Sequence, residues 1–210
     1  MCLYSRCIRK GGGFMPRTKR LVSDDTVFHI VQRGNNKQTI FREDEDFEKF
    51  LSIIRKYITK FKVEIYHYCL MRNHIHILLK IFKKDTLAKI MQGVLQSYRF
   101  YYKRKYGYIG YLYQGRYKSA LIQDDNYLSE CGRYIERNPV RAGIVKAPYE
   151  YRWSSCKHYA SGQKDDITTE NPLYESFGNT IENRRFAYKE YVSTARPYEE
   201  MIDRQFGIHV

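Results

Sequence analysis

Lys62-Val63-Glu64-Ile65-Tyr66-His67-Tyr68-Cys69-Leu70 and, after Met71-Arg72-Asn73, His74-Ile75-His76-Ile77-Leu78-Leu79-Lys80-Ile81-Phe82 form the stretch on which the fold turns. Both runs are rich in β-branched and aromatic residues, and the break between them has the length of a tight turn. They predict two strands of an antiparallel hairpin. In the second run Ile75, Ile77, Leu79 and Ile81 alternate with His74, His76, Leu78 and Lys80. Neighbouring residues of a strand point to opposite faces, so one face is continuously apolar and must be covered. The other face carries two imidazoles that can meet a single metal ion.

The flanking segments complete the sheet. Thr26 to Arg33 is β-branched and aromatic and stops at the turn residues Gly34-Asn35-Asn36, which predicts a strand before the hairpin. From Asp44, Phe47, Phe50, Leu51, Ile54, Ile58 and Phe61 recur at three and four, with acidic Asp46 and Glu48 in the first turn, as a helix dipole favours. After the hairpin, Asp85 or Thr86 can cap a second helix with Leu87, Ile90, Met91, Val94, Tyr98 and Tyr101 on one face. Its other face holds Lys89, Gln92, Gln96, Arg99 and Lys103, either a solvated stripe or a phosphate-facing one. Tyr111 to Gln123 predicts a fourth strand, and Asp124-Asp125-Asn126 caps a third helix through Tyr127, Leu128, Cys131, Tyr134 and Ile135. The order β-α-β-β-α-β-α matches an α+β, ferredoxin-like split βαβ fold: a four-stranded antiparallel sheet, two helices on one face, and a third helix near the open face. His74 and His76 are expected to look out from that open face.

Gly11-Gly12-Gly13 predicts a flexible junction, so residues 1–14 are expected to be an N-terminal extension and residues 15–160 one domain. Trp153, within Tyr151-Arg152-Trp153-Ser154-Ser155, is expected to sit in an ordered buttress. Ser161 to Asn171 is expected to be a loop and Asn183 to Val192 a short helix, within a C-terminal extension, 161–210, whose role the sequence leaves open.

Lys and Arg number 37 against 23 Asp and Glu, a formal net charge of +14 spread from Arg6 to Arg204, which favours a polyanionic partner such as nucleic acid. The same charge also serves solubility. Five cysteines with no C-x-x-C pair argue against a disulfide framework and for reduced thiols. No apolar run is long enough to span a bilayer and Met1 to Phe14 is too basic for a signal peptide, so a cytoplasmic, nucleoid-associated protein is expected.

The chemistry concentrates at two places. His74 and His76 are candidate metal ligands. Tyr134 and Asn138, four apart, share a helix face, so a hydroxyl nucleophile and an amide oxygen can reach the same ion. Tyrosine occupies 21 of 210 positions, so Tyr134 could also be an ordinary core residue and needs its context to stand out. Asn138 before Pro139 is equally the pattern of an N-cap followed by proline at the first position of a new helical turn. A zinc site from His67, Cys69, His74 and His76 is conceivable, but Cys69 alternates with Val63 and Ile65 as a small buried hydrophobe would.

Taken jointly, Tyr68-Cys69-Leu70-Met71-Arg72-Asn73-His74-Ile75-His76-Ile77-Leu78-Leu79, Gln114-Gly115-Arg116-Tyr117, Tyr134-Ile135-Glu136-Arg137-Asn138-Pro139-Val140-Arg141-Ala142-Gly143 and Trp153-Ser154-Ser155 resemble the single-tyrosine transposases of insertion sequences. Within these the pattern looks most like the REP-associated tyrosine transposases, over Met15 to about Tyr159. The resemblance implies His74 and His76 as the metal pair, Asn138 as the amide completing the site, where glutamine is also seen, and Tyr134 as nucleophile. It implies nicking of single-stranded DNA beside a hairpin through a 5′-phosphotyrosine link with Mg²⁺ or Mn²⁺. Arg72 departs from it, standing where the family commonly has proline.

The expected partners are single-stranded or hairpin DNA and no membrane, with a homodimer left open. Arg33, Arg116 and Lys118 are candidate phosphate contacts, the last two on one strand face. The rival reading is a non-catalytic module that stacks bases on the open sheet face.

Overall fold

The computed structural model describes residues 23–207. The expected 1–14 extension, with Cys2 and Cys7, lies outside the described residues. The sheet comprises β1 (Thr26–Arg33), β2 (Glu64–Met71), β3 (His74–Ile81) and β4 (Lys118–Leu121) in the order β2-β3-β1-β4, every described pair antiparallel. Helices α1 (Asp44–Phe61) and α2 (Thr86–Tyr106) pack on each other, in the split βαβ arrangement. Ile75, Ile77, Leu79 and Ile81 are buried in one continuous core with Phe47, Phe50 and Ile54 of α1 and Leu87, Ile90 and Val94 of α2. The Asp46 carboxylate at the start of α1 accepts from Tyr101, Lys105 and Tyr106 near the end of α2, joining the two helices at that end.

The β2–β3 register pairs Met71 with His74, leaving Arg72-Asn73 as a two-residue turn in which neither residue takes positive φ. The Arg72 carbonyl accepts from the Ile40 and Phe41 amides, which ties this turn to the segment before α1. The Trp153 segment is a buttress as expected. Trp153 stacks on Phe47 at 4.6 Å between ring centroids, and the backbone of 153–155 hydrogen-bonds to Tyr68 and Leu70 along β2.

Strand four is much shorter than the Tyr111 to Gln123 span that the sequence suggests. Gly115, at φ 71°, turns the chain before the strand can start, so β4 keeps four residues and Arg116 lies outside it. The third helix is longer than expected. α3 (Asp125–Arg141), capped by the Asp124 side chain on the Tyr127 amide, runs unbroken through Asn138 and Pro139. Beyond it come α4 (Cys156–Ser161), a 3-10 turn at Pro172–Phe177, α5 (Ile181–Ser193) where a short helix was expected, and α6 (Tyr198–Phe206), which was not foreseen. α4, α5 and that turn share a small aromatic core around Tyr159, Tyr174 and Tyr188. The sheet face expected to be open is covered: His74 and His76 do lie opposite the α1/α2 layer, yet both are buried beneath α3, while α6 lays Phe206 on the neighbouring His29. Cys69, Cys131 and Cys156 are free and buried.

Candidate metal and nucleophile site

α3 presents three stripes to three neighbours. Gly132 and Glu136, one turn apart, face His67 on β2. The Glu136 carboxylate is fully buried and takes hydrogen bonds from His67 Nδ1 (2.8 Å), Ser155 Oγ (2.7 Å) and Tyr188 Oη (2.7 Å). Three donors to one buried carboxylate offset its desolvation and fix the helix over the sheet. At Gly132 a side chain would stand 2.7 Å from the His67 ring, so only glycine permits this approach. His67 is thereby committed to Glu136 and, through Nε2, to the Asn171 amide at 3.2 Å, which takes it out of any zinc set. Among the described residues no group of three or more His, Cys, Asp or Glu side chains is arranged for a metal ion.

The second stripe, Tyr134 and Asn138, faces the histidines. Register places Val31 opposite His76 and Arg33 opposite His74, so His29, Val31, Arg33, His74 and His76 share one sheet face. His74 Nδ1 donates to Asn73 Oδ1 at 2.6 Å, and His76 Nδ1 lies 3.1 Å from His29 Nε2. Each Nδ1 is therefore engaged while His74 Nε2 and His76 Nε2, both buried, have no hydrogen-bond partner. The Tyr134 ring meets the His76 and His29 rings edge-on at 5.6 and 5.9 Å.

Asn138 is not a helix cap. Its Nδ2 donates to the Tyr134 carbonyl at 2.9 Å and reaches the Ile135 carbonyl, which Pro139, lacking an N–H, leaves free. With the nitrogen so engaged, Oδ1 is turned away and is itself a buried acceptor without a partner. Buried polar atoms are seldom left unpaired. Here three lone-pair donors lie in one site, at the three side chains that the sequence suggested as ligands, and a divalent ion would satisfy all three. Burial lowers the pKa of His29 to about 3 and that of His74 to about 4. For His74 the Arg33 charge adds to the drop and the Asn138 amide opposes it. His76 falls well below its usual value through burial and the charges of its neighbours. All three are then neutral at pH 7, the form that binds metal.

The third stripe, Arg133, Arg137 and Arg141, faces α6. Arg133 Nη1, Arg137 Nε and Arg141 Nε approach the Glu199 carboxylate at 3.1, 2.6 and 3.2 Å. Arg141 also grips both oxygens of Asp203, and Tyr134 Oη donates to Asp203 Oδ1 at 2.8 Å. Burial, and then the Asp203 carboxylate, raise the Tyr134 pKa against the opposing pull of Arg141. Arg33, Arg116 and Lys118 all line one cleft of about 380 Å³ at the β1–β4 edge, ending at Phe206, although Lys118 Nζ there donates to the Phe206 carbonyl. A second cleft, of about 410 Å³, reaches His74 and Asn138 between Arg33, Lys37 and Arg72.

Sequence reasoning missed His29, Glu136, Arg141 and the two α6 acids. His29 carried a faint signal, alternating with Val31 and Arg33, but its meeting with His76 depends on strand register. Glu136 and Arg141 stood inside the quoted motif without a distinguishing pattern, and Glu199 and Asp203 read as ordinary helix acids.

A ferredoxin-like sheet carrying paired histidines beneath a helix-borne tyrosine defines a DNA-processing class, the single-tyrosine transposases. The chain belongs to the IS200-like transposase family, whose model matches residues 23–138, more than half of its length, and is thereby an enzyme of DNA transposition for which the family implies a metal cofactor. Among solved structures it is similar to a REP-associated tyrosine transposase bound to a REP hairpin, at 16% identity and a TM-score of 0.60. That match covers 75% of this chain and 93% of that one. It is also similar to a Deinococcus radiodurans R1 protein described as a transposase, at 15% identity and a TM-score of 0.41, covering 62% of this chain and 97% of that one. The first likeness is one of fold. No curated protein matches the chain. No described helix is long and apolar enough to cross a membrane.

Proposed function

We propose that this transposase is a metal-dependent single-strand DNA endonuclease and strand transferase that acts beside hairpins through a 5′-phosphotyrosine at Tyr134. The observation that carries this reading is the set of three unpartnered buried acceptors, His74 Nε2, His76 Nε2 and Asn138 Oδ1, next to the Tyr134 ring. These three atoms would hold Mg²⁺ or Mn²⁺, which would supply Lewis acidity to a phosphate oxygen. Tyr134 Oη forms a bond to phosphorus and the P–O3′ bond breaks. The leaving 3′ oxygen takes up one proton as the tyrosine hydroxyl releases one. The phosphodiester energy is kept in the protein–DNA link, so rejoining needs no external energy source. Arg33, Arg116 and Lys118, gathered in one cleft, suit phosphates of the flanking strand, which fix position without reading sequence. Hairpin DNA is the substrate suggested by the REP hairpin bound in the structural neighbour, and the +14 charge suits a polyanion of any form.

The test is a denaturing gel for a covalent adduct with hairpin oligonucleotides and Mn²⁺. Wild type should form the adduct, Tyr134→Phe should bind DNA without forming it, and chelation should abolish it. An adduct in Tyr134→Phe would assign the nucleophile elsewhere. Binding by wild type with no adduct on any hairpin substrate would favour the non-catalytic rival.

A further inference from the structure

Two clefts flank the three-acceptor site, and Arg33 and Lys37 line both of them. One cleft continues to Arg116, Lys118 and Phe206. The other, of about 410 Å³, has the buried His74 and Asn138 on its inner wall and the exposed Arg72 at its rim, and no acidic side chain among its described residues. Arg33 Nε is buried without a hydrogen-bond partner. Three cations and an open donor with no carboxylate to answer them suit an anion, while Met71, Ala142 and the half-exposed Ile144 offer an apolar wall for a sugar or a base.

The rim of this cleft is firmly built. The turn that carries Arg72 is pinned on both sides, since the Asn73 carbonyl accepts from the Gly34 amide at 2.8 Å and the Arg72 carbonyl from the Ile40 amide at 2.7 Å. Between these points the loop closes so tightly that a side chain at Gly34 would stand 2.2 Å from the Gln38 carbonyl oxygen. Within it Lys37 takes φ 59°, a left-handed backbone that few residues other than glycine adopt. Strain of this kind costs stability and collects where the position of a side chain serves a site.

The order of groups across the site gives the direction of the strand. The Tyr134 ring meets His76 and His29, and Phe206 covers His29, so the nucleophile stands on the side of the Phe206 cleft. His74 and Asn138 stand on the side of Arg72. In phosphoryl transfer the attacking and leaving oxygens lie in line across phosphorus, so the 3′ oxygen departs away from Tyr134 and toward the Arg72 cleft. Resting on the function proposed above, we infer that this cleft is the subsite for the nucleotide bearing the leaving 3′ oxygen. Arg72 and Lys37 hold the next phosphate of that strand, and the cleft presents the 3′-hydroxyl when the strand is rejoined. In rejoining, the O3′–P bond forms, the bond from phosphorus to Tyr134 Oη breaks, and the proton of the 3′-hydroxyl ends on Oη. The Arg116 cleft receives the strand held through its 5′ phosphate.

The test reads binding to the full chain in a chelator, where no chemistry intervenes. The probe is the trinucleotide dTpTpT with a photoreactive 4-thiothymidine at its 3′ end, and crosslinked peptides are identified by mass spectrometry. Crosslinks should fall within residues 71–74 and 138–144. Half-saturation should move about three- to tenfold to higher probe concentration in Arg72→Ala, the scale of one lost phosphate hydrogen bond, and should stay in place in Arg116→Ala. Lys37→Gly should weaken binding by a similar factor while its urea midpoint holds or rises, because glycine takes the left-handed backbone without strain. The inference is overturned if the crosslinks centre on residues 114–118, or if Arg72→Ala and Lys37→Gly saturate as wild type does. Crosslinks at 71–74 and 138–144 in a protein that forms no adduct with hairpin DNA and Mn²⁺ would keep the subsite and sink the phosphotyrosine chemistry. Adduct formation with the 3′ label elsewhere would do the reverse.

Discussion

At the scale of single residues, the site depends on which ring nitrogen each histidine leaves free. Asn73 Oδ1 can only accept, so His74 carries its proton on Nδ1 and offers the Nε2 lone pair. His76 offers Nε2 in the same way when its Nδ1–H donates to His29 Nε2. His29 is thus a positioning residue for His76, as an outer hydrogen-bond partner of a ligand commonly is. Titration with Mn²⁺ in the absence of DNA, followed by electron paramagnetic resonance, should show His74→Ala and His76→Ala losing affinity by about 100-fold or more. His29→Ala should lose about 10- to 100-fold, the usual effect of removing such a partner. Unchanged Mn²⁺ affinity in the His74→Ala/His76→Ala double variant would refute the assignment. The two candidate ligands were legible because strand alternation is local. His29 was not, since its partner is set by a pairing across 47 residues. Asn138 was ambiguous for a different reason: the sequence Asn-Pro is the same whether it caps a helix or repairs the hydrogen bond that proline removes within one.

At the scale of elements, α3 sets the geometry because its three stripes are bound to three partners at once. Gly132 is the tightest of these contacts. In Gly132→Ala the helix gains about 1 kcal/mol in intrinsic propensity, but the new methyl meets a His67 ring held by Glu136, Asn171 and the stacked Tyr159 ring. Overpacking against a rigid neighbour costs about 1–3 kcal/mol, so the clash should win. The urea midpoint should fall, and adduct formation should fall further than stability explains, because Tyr134 and Asn138 ride on the displaced helix. A rise in midpoint with full activity would show that α3 has room to spare. The strands β1 to β3 and helices α1 to α3 were readable from hydrophobic period and caps. β4 was over-read, since a run of tyrosines around glycines has strand composition but Gly115 turns the backbone. α6 was missed because nine amphipathic residues without a distinctive cap give little local signal, and its meaning lies in contacts to α3, β1 and β4.

For the whole molecule, three neutral histidines buried in one cluster tie stability to pH. His29 titrates near 3 and His74 near 4 in the folded chain, and His76 well below its usual value, whereas all three return to about 6.5 on unfolding. Between these limits the unfolded chain binds protons that the folded chain refuses, so stability rises with pH and is lost as pH falls below about 6.5. Each group contributes about 1.4 kcal/mol per pH unit, so His29 and His74 together give about 3 kcal/mol per unit between roughly pH 6 and 5, and His76 adds to the loss in the same direction. Against a total of about 5–15 kcal/mol for a domain, that is enough to open the cluster or unfold the chain near pH 5. Urea midpoints measured at pH 7.5, 6 and 5 should therefore drop steeply over the last step. His29→Phe, which keeps a ring against Phe206 but takes up no proton, should lessen the slope by about a third. Saturating Mn²⁺ should move the onset to lower pH, because the ion competes with protons for the Nε2 lone pairs of His74 and His76. A midpoint that stays flat from pH 7.5 to 5 would mean that the histidines are charged or solvated in the folded protein, and the neutral, ion-ready cluster would have to be abandoned.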